Sequence, residues 1–286
     1  MRRRVVSLAL LAVCVVAGLT TCYTRQGGGI VAGSAHLEAI VRALTDGDPA
    51  VAIHNLVPAG MCPGHYDMKP SDVAAVAGAQ VVLLHDWQQG MPGVKRLVEA
   101  ANVPPERLHI LQVEGNWMTP EAHGRAVQAV AEVLSQQPEA DGQVYAERAA
   151  GLVEAGRALE EQARRELDKA EVSGMKVVVS EKQAPVLAWA GFDVVGTFGR
   201  AEELSVADVE ALVALAKEQH ISLVVVNLQS GDTEMGKAIA REAGAVHVVL
   251  TNFPGGFPGT ETWEQALATN VDRLVEAVAK ARGGDD

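Results

Sequence analysis

The sequence predicts an α/β protein of two α/β lobes with mainly parallel four-stranded sheets, joined by one long backbone helix. Three observations carry that expectation. Short β-branched runs alternate with amphipathic stretches, the alternation starts afresh near residue 172, and a proline-free segment of helical periodicity separates the two series. Runs such as VVVNL and VVLL are apolar without alternation, so their strands are buried on both faces, as in parallel sheets covered by helices.

Taken in order, the chain opens MRRR, runs apolar from Val5 to Leu19, and passes Thr20-Thr21-Cys22 into the polar YTRQGGG. A charged start, a short apolar stretch and a cleavage site make residues 1–21 an export signal. Fifteen apolar residues fall short of the roughly 20 that span a bilayer. Residues 22–29 read as a flexible linker. Strands are expected at Ile30 to Ser34, Val51 to Val57, Val81 to Leu84 and Leu108 to Val113, with helices near 36–45, 71–79, 92–101 and 120–136, giving a lobe over 30–140. The second lobe, 172–286, has strands at Val177 to Ser180, Val194 to Phe198, Leu223 to Leu228 and Val246 to Leu250. Its helices fall near 184–190, 205–219, 234–243 and 261–281, and Ser205 with Asp208 forms a capping box.

Between the lobes, 141–171 carries Val144, Ala149, Leu152, Ala155, Leu159, Ala163 and Leu167 on one stripe. As a single helix at ~1.5 Å per residue it spans on the order of 40 Å. The alternative is two helices broken near Gly151 or Gly156.

Composition narrows function. The chain has 286 residues, 48% hydrophobic and 21% charged, with formal charge −12 and no basic cluster after the first residues, which argues against nucleic acid as a partner. Removal of Arg2, Arg3 and Arg4 with the signal would take the balance to −15. Its three cysteines, Cys14, Cys22 and Cys62, are too few and scattered for a disulfide framework or a four-thiolate zinc site, and export would leave Cys62 a lone thiol in the folded part. There is no G-x-S-x-G, P-loop, G-x-G-x-x-G after a strand, or H-E-x-x-H, so no enzyme and no redox or nucleotide cofactor is expected.

In open α/β sheets ligands bind at the carboxyl ends of strands. Those ends carry Cys62, His65, Tyr66 and Asp67; His85-Asp86-Trp87; Glu114-Gly115-Asn116-Trp117; Glu181-Lys182-Gln183; Thr197-Phe198-Gly199; Gln229-Ser230-Gly231-Asp232; and Thr251-Asn252-Phe253. Polar groups from both lobes are thus expected to meet in one cleft. His65 and Cys62 are good soft-metal donors three residues apart, and Met61, Met68, Met91 and Met118 flank the same loops. Asp86 can orient His85 or cap the next turn, and Trp87 and Trp117 can be core, cleft wall or stacking groups. His36, His54, His109, His123, His220 and His247 are read as hydrogen-bonded surface or packing residues.

The segments LVPAG-MCPGHYDMKPSD, NWMTPEAH and TETWEQALATNVDRLVEAV resemble signature stretches of the periplasmic substrate-binding proteins of zinc and manganese ABC transporters, with matching element order from about Ile30 to Ala279. Leu19 three residues before Cys22 likewise resembles a lipoprotein signal, although Thr21 is larger than usual there. The resemblance implies an exported protein in the periplasm or on the outer face of the cell membrane, lipid-anchored through Cys22, monomeric, that docks on a membrane permease.

It also implies a metal held by three His and a carboxylate. Placed without gaps, those ligands fall on Gly64 with His65 next to it, on Gly115 or Asn116, on Glu181, and on Asn252. The expected ligands are therefore His65 and Glu181 for a zinc- or manganese-type ion or a metal chelate, with Cys62, His85, Asp86, Asn116, Trp117, Gln183 and Asn252 completing the cleft. Two other readings stay open: an organic or tetrapyrrole-type ligand held by Trp87, Trp117, Gln183, Gln229 and Asn252, and a metal-dependent hydrolase using His65, His85 and Glu181.

Overall fold

The computed structural model describes residues 28–138, 140–231 and 233–283. The expected signal and Cys22, the residue expected to carry a lipid anchor, lie outside the described residues, as does Asp232. The first lobe contains β1 (Ile30–Ala32), α1 (Ala35–Leu44), β2 (Ile53–Asn55), α2 (Pro70–Gly78), β3 (Val81–His85), α3 (Pro92–Ala101), β4 (Leu108–Leu111) and α4 (Pro120–Ser135). After α5 (Gly142–Lys169) follow β5 (Lys176–Ser180), α6 (Ala184–Ala190), β6 (Asp193–Phe198), α7 (Val206–Glu218), β7 (Leu223–Asn227), α8 (Thr233–Ala243), β8 (Val246–Leu250) and α9 (Trp263–Gly283). The sheets run β2-β1-β3-β4 and β6-β5-β7-β8, and every strand pair is parallel.

The continuous apolar strands have a simple cause. Side chains alternate across a strand, and both faces of these sheets meet helices. Val81 and Leu83 pack in one core with α1 and α4, while Val82 and Leu84 pack in the opposite core with α2 and α3. The second lobe repeats the arrangement, with Val177, Val179, Leu223 and Val225 facing α6 and α9, and Val178, Val224 and Val226 facing α7 and α8. Each such Val or Leu, removed from water, contributes about 1.5–3 kcal/mol before entropy is subtracted. Gly236 lets α8 lie close on the sheet, because a Cβ there would collide with Val226.

Helix α5 is one unbroken element of 28 residues. The Asp141 carboxylate caps it, accepting from the N–H groups of Gln143 at 3.0 Å and Val144 at 3.3 Å. Its apolar stripe is shared between two cores: Ala149 belongs to the first lobe, whereas Ala163 and Leu167 belong to the second. Gly156 does not break the helix; it lies buried against the ring of Trp263. The expected capping box is present, with Ser205 N–H donating to Asp208 Oδ2 at 2.8 Å and Asp208 N–H donating to Ser205 Oγ at 3.2 Å.

Candidate functional site in the interlobe cleft

Each sheet reverses direction of winding once, between β1 and β3 and between β5 and β7, and a crevice opens at such a reversal beyond the strand ends. The two crevices face each other. They form a single cleft of about 850 Å³ whose walls come from both lobes.

The floor on the first-lobe side is aromatic. His85, at the end of β3, stacks on Trp87 with ring centroids 4.9 Å apart and meets Trp117 at 4.1 Å with the planes tilted by 44°. Its Nε2 lies 2.7 Å from Ser34 Oγ, the hydroxyl that also caps α1. Its backbone N–H donates to Gln88 Oε1, and Gln88 in turn donates to Gly33 O, which locks the turn after β3 to the end of β1. Burial pushes the His85 imidazole down to about 3. Behind it His36 and His123 approach each other at 3.3 Å. Burial pushes His123 to about 3, and burial together with the neighbouring imidazoles of His123 and His85 holds His36 well below its ordinary value. All three rings are neutral at neutral pH. His123 lies flat on Trp263 of the second lobe, 4.0 Å away with the planes 2° apart.

The lobes also touch through polar groups. Asn116 Nδ2 donates to Asn252 Oδ1 at 2.7 Å and to the carbonyl of Lys182 at 2.6 Å. Gln229 Nε2 donates to Ala59 O at 2.7 Å, and Trp263 Nε1 donates to Trp117 O at 2.9 Å. Asn252 is placed by its own lobe: its N–H donates to Gln229 Oε1, and the preceding Thr251 is held by both ends of the buried Asn270 amide.

Of the residues singled out in the sequence, Cys62, His85, Asp86, Asn116, Trp117, Glu181 and Asn252 line the cleft. So do Gly64 and Gly115, where gap-free placement puts two of the family's imidazoles. His65 does not. It stands exposed beside the cleft, with Nε2 at 3.3 Å from Glu202 of the opposite lobe. Gln183 is wholly buried behind the lining, donating to Asn227 Oδ1 while its own Oε1 has no protein partner. Asp86 caps its own turn by accepting from Trp87 N–H at 2.7 Å. Among the described residues no three His, Cys, Asp or Glu side chains converge on a point that could hold a metal. The outer histidines divide: His54 pairs with Asp72 at 2.9 Å, whereas Nε2 of His109 and of His247 is buried without a protein partner.

Arg200 is the cleft residue that sequence reasoning passed over. It follows β6 by two residues, one beyond the strand end Thr197-Phe198-Gly199, and no motif marks it. Glu203 fixes its guanidinium through Nε and Nη2, while Nη1 points at the first lobe beside Cys62 and Gly64. Asn227 was similarly hidden, as the last residue of an apolar run. In its chemistry the cleft thus combines aromatic faces, neutral amides, the carboxylates of Asp86, Glu114, Glu181 and Glu203, and the cations of Lys182 and Arg200.

The chain shares its fold with several solved structures. "Crystal structure of ZnuA" aligns at TM-score 0.71 and 18% identity over 87% of this chain and 98% of that one. A manganese-bound periplasmic metal binding protein from Candidatus Liberibacter asiaticus aligns at 0.70 and 15%, covering 87% and 98%. The substrate-binding protein FpvC from P. aeruginosa, in complex with a nickel ion, aligns at 0.72 and 18%, covering 90% and 97%. No curated protein sequence matches the chain significantly. The family model described as "Zinc-uptake complex component A periplasmic" matches residues 30–277, nearly the whole described chain, and the protein therefore belongs to that ZnuA family.

Proposed function

We propose that this chain is the exported ligand-capturing component of an ABC importer, lipid-anchored through Cys22, that carries a zinc- or manganese-type divalent metal, bare or chelated, between its lobes. One observation supports this reading most: loops from four strand ends bring Gly64, Asn116, Glu181 and Asn252 to one interlobe cleft. Glu181 supplies a carboxylate there, and His65 joins it by exchanging Glu202 for the metal. A donor from each lobe makes the closed state the one in which both bonds form, so ligand affinity drives closure. The permease recognises the two lobe surfaces so aligned. The one hydroxyl held against an imidazole here, Ser34 on His85, is wholly buried, caps α1 and does not line the cleft, which favours binding over catalysis as the task of the cleft.

The test is elemental analysis and native mass spectrometry of protein purified without added metal or chelator, followed by titration of wild type, His65→Ala and Glu181→Ala. A stoichiometric metal, alone or with an organic mass, with weaker binding in the Glu181 variant, supports the proposal. An organic mass without metal replaces it by the organic-ligand reading.

A further inference from the structure

The donor set, the size of the cleft and the position of Arg200 point to one class of cargo. We propose that the ligand is a divalent metal already wrapped in a small carboxylate-bearing chelator, and that Arg200 reads the chelator's negative charge. This rests on the reading of the cleft as a metal-cargo site and goes further by naming the form of the cargo.

A first-row dication bound bare needs about four strong donors, imidazole, thiolate or carboxylate. Among the described residues none of the cleft's His, Cys, Asp and Glu side chains gather in threes, and two strand-end positions, Asn116 and Asn252, spend their amides on each other. A chelated metal brings its own donors and asks the protein for one, which Glu181 can supply from the cleft wall. The cavity of about 850 Å³ is of the size that encloses small organic molecules, roughly 300–1,000 Å³.

Arg200 supplies the selectivity. A Cβ on residue 64 would stand 2.7 Å from its Nη1, so the guanidinium and a side chain at 64 compete for the same space. Where a metal-binding side chain could project, the protein instead presents a guanidinium fixed by Glu203 and flanked by Glu202. Selectivity for an anionic complex therefore comes from a directed pairing of its remaining edge with a chelator carboxylate and not from the net charge of the cleft, where carboxylates outnumber cations. Glu203 holds one edge of the guanidinium and leaves Nη1 facing the cleft, the planar geometry that suits carboxylates. Lys182 adds a second cation, and Trp87, 44% exposed and stacked on His85, offers an apolar face for the organic part.

Calorimetry on untagged protein, in a non-coordinating buffer, would use four probes: nickel chloride, the anionic 1:1 nickel–nitrilotriacetate and nickel–citrate complexes, and neutral nickel bis(histidinate). The expected result is that an anionic complex binds at least about tenfold more tightly than nickel chloride. Arg200→Gln should lose about tenfold or more for that complex, the worth of a charge-assisted hydrogen bond, and Arg200→Lys should recover part of it. The neutral complex should change less than about twofold, and an unchanged melting temperature would show that the variants fold. Tight nickel chloride binding, indifferent to Arg200→Gln, would overturn the chelate while leaving a metal-cargo site standing. Failure of all four probes, repeated with zinc and manganese, would overturn both.

Discussion

Acid should unfold this protein through its buried histidines well before its carboxylates titrate. His85 and His123 each sit at about 3 in the folded state because burial disfavours the imidazolium, against ~6.5 in an unfolded chain. Between those values the unfolded state binds more protons, so stability is fully present above about pH 6.5 and is lost as pH falls. Each site then costs about 1.4 kcal/mol per pH unit, or about 2 kcal/mol on going from pH 7.5 to 5, and the pair about 4 kcal/mol. Set against a total of about 5–15 kcal/mol for a typical domain, that is a large fraction. Asp72 does not blur the result. Burial alone would raise it, but the bonds from His54, Tyr66 and the Lys69 N–H outweigh burial and hold it below the usual carboxylate range, so its contribution is lost only at lower pH. The assay is urea denaturation followed by tryptophan fluorescence at half-unit steps from pH 7.5 to 5. His123→Phe keeps the stack on Trp263 and removes one titrating ring. Its stability should therefore fall with about one proton less slope than the wild type. Equal slopes would refute the claim that His123 is buried neutral.

Other outcomes follow from the same structure. Leu159→Pro, in the middle of α5 and packed against the second core, should cost about 3 kcal/mol or more in chemical denaturation and weaken ligand binding together with it. Asn270→Ala strands the buried N–H and carbonyl of Thr251, a loss of about 2–4 kcal/mol, and should blur the NMR signal of the Asn252 side chain that Thr251 positions. Cys22→Ser should move the native protein from the membrane to the soluble fraction or block its processing, as judged by fractionation and N-terminal mass.

The strands and the connector were readable because their causes are local. Burial on two faces writes an unbroken apolar run, and packing against two cores writes a stripe over eight turns; α5 spans Gly142–Lys169 where periodicity placed 141–171. The first two strands came out shorter than read, Ile30–Ala32 and Ile53–Asn55, because their flanks serve other partners: Ser34 caps α1, and Asn55 Oδ1 accepts from Val57 N–H. The site was legible only as a list of strand ends. Whether Trp117 is core or cleft wall has no sequence signal, and it is both, 6% exposed and lining the cleft. Arg200 and the Asn116 to Asn252 bond depend on how two lobes meet, which pairs residues 136 positions apart. No periodicity along one segment can report that.

The division of α5 between two cores bears on how the molecule comes apart. If the second lobe melted alone, Ala163 and Leu167 would lose their partners, Met118 from the first lobe would be withdrawn from the core it has entered, and Trp263 would leave His123 and Gly156. What remained of α5 would be a half-length helix of about 14 residues, marginal in water without packing. Damage on one side is thus transmitted to the other through a shared beam. Half-melted molecules are correspondingly scarce, and heating should give one cooperative endotherm, even though the chain is built as two similar sheets in series.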